Sequence, residues 1–179
     1  MKIIYFSFIT LLILSNQSCK KDDPNDRFYW GEATATKNQS ASWEARPRCV
    51  INKPYDQGID IILTVFNSKG FRREDLFFFK IPNQVGTYNI TKSSPQTVDS
   101  THGASYGTLI DDGTSGDRYY LIEGILDNKL TTDKKKGDEI WGTFQVAFTK
   151  DKTFLSEDPT APDTVIITDG KFHTKLLKE

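Results

Sequence analysis

An all-β fold, arranged as an antiparallel β-sandwich, is what this 179-residue sequence predicts, on three observations. Apolar and polar residues alternate at period two over many short segments. Those segments are separated by Asn, Asp and Gly turn chemistry. No stretch sustains a helical i, i+3, i+4, i+7 stripe with caps. The alternative arrangement is a small lipocalin-like β-barrel, which matters for function because a barrel of that size can hold one small ligand.

The strands are justified in order by their alternation. Segments 28–36, 42–46 and 48–53 come first. In "GIDIILTVF" (58–66) Ile59, Ile61, Leu63 and Val65 share one face, with Asp60, Ile62, Thr64 and Phe66 on the other. Segments 76–81, 87–91, 105–110 and 118–126 follow. "EIWGTFQVAF" (139–148) is the clearest: Ile140, Phe144, Val146 and Phe148 point one way, and Trp141, Thr143, Gln145 and Ala147 the other. Segments 164–168 and 171–176 complete the set. "NSKG" (67–70), "DDGTSGD" (111–117), "DNK" (127–129) and "TDGK" (168–171) read as turns. One helical turn at Phe71–Leu76 is the most helix the sequence offers, and "KKKGDE" (134–139), the densest basic run, is expected to be a solvated loop.

The N-terminus carries an address. Lys2 precedes Ile3–Leu14, an apolar run with the length of a signal-peptide h-region. As a helix it would cover roughly 18 Å, against the ~30 Å of hydrocarbon that a span must cross. Ser18 and Cys19 come next, then the charged, proline-bearing "KKDDPND". This arrangement resembles a bacterial lipoprotein signal, with Asn16 where a Leu is usual three residues before the cysteine. "CKKDD" is similar to the export tag of Bacteroidota lipoproteins destined for the cell surface. The resemblance implies a signal peptide over residues 1–18, diacylglycerol on the sulfur of Cys19, and a polar tether over 19–27 leading to a single β-rich domain at 28–179. Two or more acyl chains hold stably in a membrane where one holds only marginally. The implied location is the outer membrane, surface-exposed, with a periplasm-facing orientation as the alternative.

With its sulfur acylated, Cys19 leaves Cys49 without a disulfide partner, and Cys49, beside Val50 and Ile51, reads as a small buried hydrophobe. Loss of residues 1–18 removes one lysine, so 22 basic side chains face 24 acidic ones. Such balance makes no case for nucleic acid. "WEA" (43–45), "GTYNIT" (86–91), "GASYGT" (103–108), "GTFQVAF" (142–148) and "ITDGKFH" (167–173) resemble landmarks of an uncharacterised β-rich domain family of Bacteroidota lipoproteins. That resemblance implies no catalytic residues. In the landmarks, Gly86 and Gly142 stand where a side chain would crowd a turn or crossing strand, and Tyr88, Phe144 and Phe172 read as core aromatics.

Chemistry is sparse. His102 and His173 each stand alone in sequence, and a hydrolase would need one of them beside a carboxylate in a cleft. Asp111, Asp112 and Asp117 superficially suggest calcium, but their spacing does not fit an EF-hand loop and a hairpin is the expected role. No cofactor, metal site or catalytic residue is expected. Trp30, Trp43, Trp141, Tyr106, Tyr119 and Tyr120 are candidates for a sugar-stacking surface, with core packing as the default. Three function classes follow: a lipid-anchored binding or accessory module with a glycan or protein partner, an inhibitor-like or structural envelope protein, and, last, a hydrolase. A binding face leaves little sequence trace, which favours the first two.

Overall fold

The structure, a computed structural model, describes residues 28–51, 58–96, 101–110, 114–153 and 158–177. The expected signal peptide, Cys19, the expected tether to residue 27, Asp111 and Asp112 lie outside them. Among the described residues there are ten strands and no helix: β1 (Glu32–Lys37), β2 (Ala41–Ile51), β3 (Ile59–Phe66), β4 (Arg72–Ile81), β5 (Gly86–Asn89), β6 (Gly103–Ile110), β7 (Thr114–Leu121), β8 (Lys129–Lys136), β9 (Glu139–Lys150) and β10 (Thr164–Lys175).

The strands pair antiparallel in the order β10–β1–β2–β3–β4–β6–β7–β9, and β9 pairs again with β10 from Thr149↔Thr164 to Glu139↔Lys175. Eight strands therefore close into a barrel, with β8 and β5 attached as a branch. This corrects the expected sandwich. A sandwich leaves each sheet with open edges, whereas here β9 and β10 have neighbours on both sides. β9 achieves this by dividing its second edge, with β8 along residues 139–145 and β7 along 148–150.

β7 and β8 run in the same direction along that edge, interrupted by residues 122–128. Asn128 bridges the interruption. Its amide Nδ2 donates to the Ile122 carbonyl at 2.6 Å, its Oδ1 accepts from Ala147 N at 2.8 Å, and its own carbonyl accepts from Ile90 N at 2.9 Å. One buried side chain thus stands in for ladder bonds where the strand is missing.

Local physics explains the other departures from expectation. β2 is continuous through Pro47. Because N–H and C=O of an extended residue point the same way, the bond from Trp30 N to Pro47 O places the missing N–H on the β1 side, beyond the last β1–β2 pair at Ala33↔Ala45. β10 is continuous through "TDGK", which forms a bulge between Ile167↔Val146 and Gly170↔Phe144 with Asp169 at φ 53°. The one segment that could form a helical turn, 71–76, is instead the start of β4. The basic run 134–136 is the end of β8, and the turn lies at Gly137–Asp138. Residues 28–31 dock rather than pair, and β1 begins at Glu32.

The barrel interior is filled. Ile59, Ile61 and Leu63, Leu76 and Phe78, Ile140, Val146 and Phe148, and Val165 and Ile167 are all buried, as are the expected core aromatics Tyr88, Phe144 and Phe172. Eight strands leave an interior just wide enough for such side chains. Phe172 lies opposite Gly142, and Phe144 opposite Gly170. A β-carbon on Gly142 would come within 2.1 Å of the Thr131 carbonyl oxygen and 2.6 Å of the Phe172 ring, so this position admits only glycine.

Replacing Asn128 by Ala leaves the Ala147 N–H buried without its acceptor, a cost of about 1–3 kcal/mol. The expected outcome in urea unfolding is a lowered midpoint with an unchanged slope. An unchanged midpoint would show that the bridge contributes nothing.

Candidate functional site

On β4, β6 and β7 the alternation that fills the core also decides what faces out. Leu76, Phe78, Ala104, Tyr106 and Tyr119 point inward. Phe77, Ser105, Gly107, Arg118 and Tyr120 therefore point outward, in two rows read from the pairing. One row runs Ile62↔Phe77↔Ser105, and Tyr120 adjoins Ser105 because Tyr119 pairs with Tyr106. The next runs Thr64↔Asp75↔Gly107↔Arg118.

The column contributed by β6 is small, Ser105 and Gly107, while its neighbours carry Phe77 and Asp75 on one side and Tyr120 and Arg118 on the other. Strands one apart in the ladder are ~4.8 Å apart, so the two ridges stand roughly 10 Å apart across a floor almost free of side chains. The result is an open trough of about 420 Å³ that also touches Arg72 and Leu109. Gly107 is needed for space here, not for backbone freedom. A β-carbon there meets only the Asp117 carbonyl oxygen, at 3.6 Å, so a side chain could be accommodated and would fill the trough.

The ridges are held by hydrogen bonds. Tyr120 is 48% exposed, and its hydroxyl donates to Asp151 Oδ2 at 2.7 Å. Asp151 Oδ1 in turn accepts from Thr153 N at 2.9 Å and Thr153 Oγ1 at 2.6 Å. The Thr153 hydroxyl, then Tyr120, hold the Asp151 carboxyl below its ordinary value of 3.8, and the bond to Asp151 raises the Tyr120 phenol. On the other ridge Asp75 accepts from Thr64 Oγ1 at 2.7 Å and pairs with Arg72.

Behind the trough lies a polar layer inside one end of the barrel. Lys37 Nζ donates to Glu74 Oε1 at 2.7 Å and to the Tyr106 hydroxyl at 2.8 Å. Glu74 Oε2 accepts from Tyr106 at 2.7 Å and from Trp43 Nε1 at 2.8 Å. Burial, reinforced by the Glu74 charge, raises the Tyr106 phenol far above its ordinary value. Tyr119 rises to about 12, mainly through burial. Asp117 faces Lys150 Nζ at 3.1 Å, both side chains nearly inaccessible. Its carboxylate is thus committed to an ion pair rather than to the loop in which calcium was considered.

The remaining sequence candidates scatter. Trp43, Tyr106 and Tyr119 are core; Tyr106 and Tyr119 also touch the trough from beneath, and Tyr120 is the exposed tyrosine of the three that line it. Trp141 stacks on His173 with centroids 4.3 Å apart, and Trp30 meets the same imidazole edge-on at 4.9 Å. Lys134 and Lys175 lie over the two indoles, at 4.7 and 5.0 Å, so this cluster is covered by its own cations and fastens the incoming chain to β10. His173 Nε2 is 3.0 Å from Glu139 Oε2, the carboxylate neighbour a hydrolase would use, but neither residue lines the trough. His102 donates through Nδ1 to the Lys80 carbonyl at 2.8 Å, pinning a bulge of β4. Cys49 is fully buried, and desolvation above all pushes its thiol up to about 12.

Sequence reasoning missed Phe77, Ser105, Gly107, Arg72 and Arg118. The available signal was the alternation in "GASYGT", which places two small residues in succession on an outward face. No family model, curated protein or solved structure matches the chain.

The Asp151 contacts make an acid-range prediction. A carboxyl lowered in the folded state contributes stability above its unfolded pKa and loses it as pH falls through the folded value. Between neutral pH and pH values well under 3.8, the wild type should lose more thermal stability than Asp151→Asn. Parallel pH profiles for the two proteins would contradict the assignment.

Proposed function

We propose that this chain is a lipid-anchored extracytoplasmic binding or accessory module, tethered through Cys19 to the outer membrane and displaying the trough of β4, β6 and β7 as its contact surface. The address rests on the N-terminal sequence and its resemblance to Bacteroidota lipoprotein signals. The binding role rests on one observation: an exposed aromatic ring, held by its own hydroxyl, lines a trough floored by the small residues Ser105 and Gly107. Exposed aromatics rigid enough to lose little entropy on contact are what a recognition surface uses.

A filled barrel interior shifts this role to the outer wall, away from the lumen a lipocalin-like ligand would occupy. The acyl chains supply membrane affinity while the polar tether supplies reach, so the barrel makes no demand on its own surface for attachment.

Two arms test the proposal. Growth with a labelled fatty acid should label the native protein and leave Cys19→Ala unlabelled, and a label persisting in the variant would overturn the anchor. Titration calorimetry with soluble glycan and peptide libraries should give saturable binding that is lost in Tyr120→Ala. Flat titrations throughout would overturn the binding role.

A further inference from the structure

The trough is selective in what it can take. Its two rows differ in character: Ile62, Phe77 and Tyr120 supply an apolar, aromatic strip, and Asp75, Arg72 and Arg118 supply a parallel strip of hydrogen-bonding groups. A ligand filling it needs a flat apolar face and a polar perimeter on the same small unit, no thicker than the gap between ridges two strands apart, roughly 10 Å between strand axes.

A peptide meets this poorly. Peptides add to sheets through a free strand edge, and here β6 is paired on one side with β4 and on the other with β7. The floor therefore offers no backbone ladder to an incoming chain. The charges do not single out an anion either, since Arg72 already pairs with Asp75. The trough is open, as suits a unit within a longer polymer rather than a molecule to be enclosed.

Resting on the binding role proposed above, we infer that the trough is a saccharide subsite that takes a pyranose ring of an oligosaccharide between Phe77 and Tyr120, with Asp75, Arg72 and Arg118 bonding its hydroxyls. The C–H face of the sugar packs on the Tyr120 phenol ring in place of Lys92 Nζ, which lies 5.9 Å from that ring's centroid, and Asp151 fixes the phenol's orientation in advance. Ser105 and Gly107 leave the depth that the ring occupies. Asp75 accepts from hydroxyls and the guanidinium groups donate to them, which matches the donor-and-acceptor character of sugar hydroxyls. No bond is made or broken.

The test is isothermal titration of the whole lipid-free protein, made as Cys19→Ala, with maltohexaose, cellohexaose, xylohexaose, mannohexaose and tetragalacturonic acid at up to about 10 mM, enough to fill a site with a Kd near 1 mM. At least one oligosaccharide should bind, and Tyr120→Ala should weaken it about tenfold or more. Tyr120→Phe, which keeps the ring, should stay within about threefold of wild type. Gly107→Leu, whose β-carbon has room and whose branched end fills the floor, should abolish binding while the melting temperature holds. Should Gly107→Leu not fold, Tyr120→Ala against Tyr120→Phe decides alone. No binding by any of the five overturns the inference, as does binding that both trough variants leave unchanged. If a peptide library binds and loses its signal in Tyr120→Ala while the sugars stay silent, the saccharide inference falls and the binding role stands.

Discussion

The pairing of β9 with β10 is the constraint from which the rest of this structure follows. These two strands are long, twelve residues each, and they meet over nearly their whole length. Once they are joined, the sheet has no terminal edge in its main wall, and every strand of the barrel must divide its residues between one interior and one exterior. The interior is small, so it is filled by Ile, Leu, Val and Phe with glycines opposite the rings of Phe144 and Phe172. A filled interior leaves the outer wall and the barrel ends as the surfaces open to a partner.

That wall is shaped by omission as much as by what it carries. A fully paired β6 presents Ser105 and Gly107 between taller neighbours, and the polar layer beneath them is locked by Lys37, Glu74, Tyr106 and Trp43. Partly buried charges of this kind contribute little to stability beyond the cost of desolvating them, yet they fix four strands relative to one another. A rigid wall of this sort suits recognition, because the geometry of Phe77 and Tyr120 is set before any ligand arrives. The branch strands β8 and β5 extend the wall beside β9, and Trp30, His173 and Trp141 tie the incoming chain to β10.

Much of this was legible in the residues. Period-two alternation located β3 and β9 to within two residues at their ends, and the parity of Trp141 correctly set it on the outer face. Closure was not legible, because sandwich and barrel use the same alternation and differ only in whether two distant edges meet. Pro47 and "TDGK" read as breaks since both are turn chemistry; a spent ladder edge in one case and a bulge in the other absorbed them. β8 was invisible because, of its eight residues, only Leu130 is apolar and buried. The trough escaped notice for a related reason. Its defining residues are a serine and a glycine, which sequence patterns register as the lack of a signal, and Tyr120 could not be told from the buried Tyr119 beside it.

The most direct measurement of closure is a nuclear Overhauser experiment on the isotopically labelled protein, following contacts from β10 to both neighbours. Cross-strand contacts of the Ile166–Ala147 and Lys171–Thr143 pairs should appear together with those of Ala33–Phe172 and Thr34–Lys171. If the β10–β1 contacts appear without the β10–β9 set, the wall is open, and neither the filled interior nor the outward trough follows.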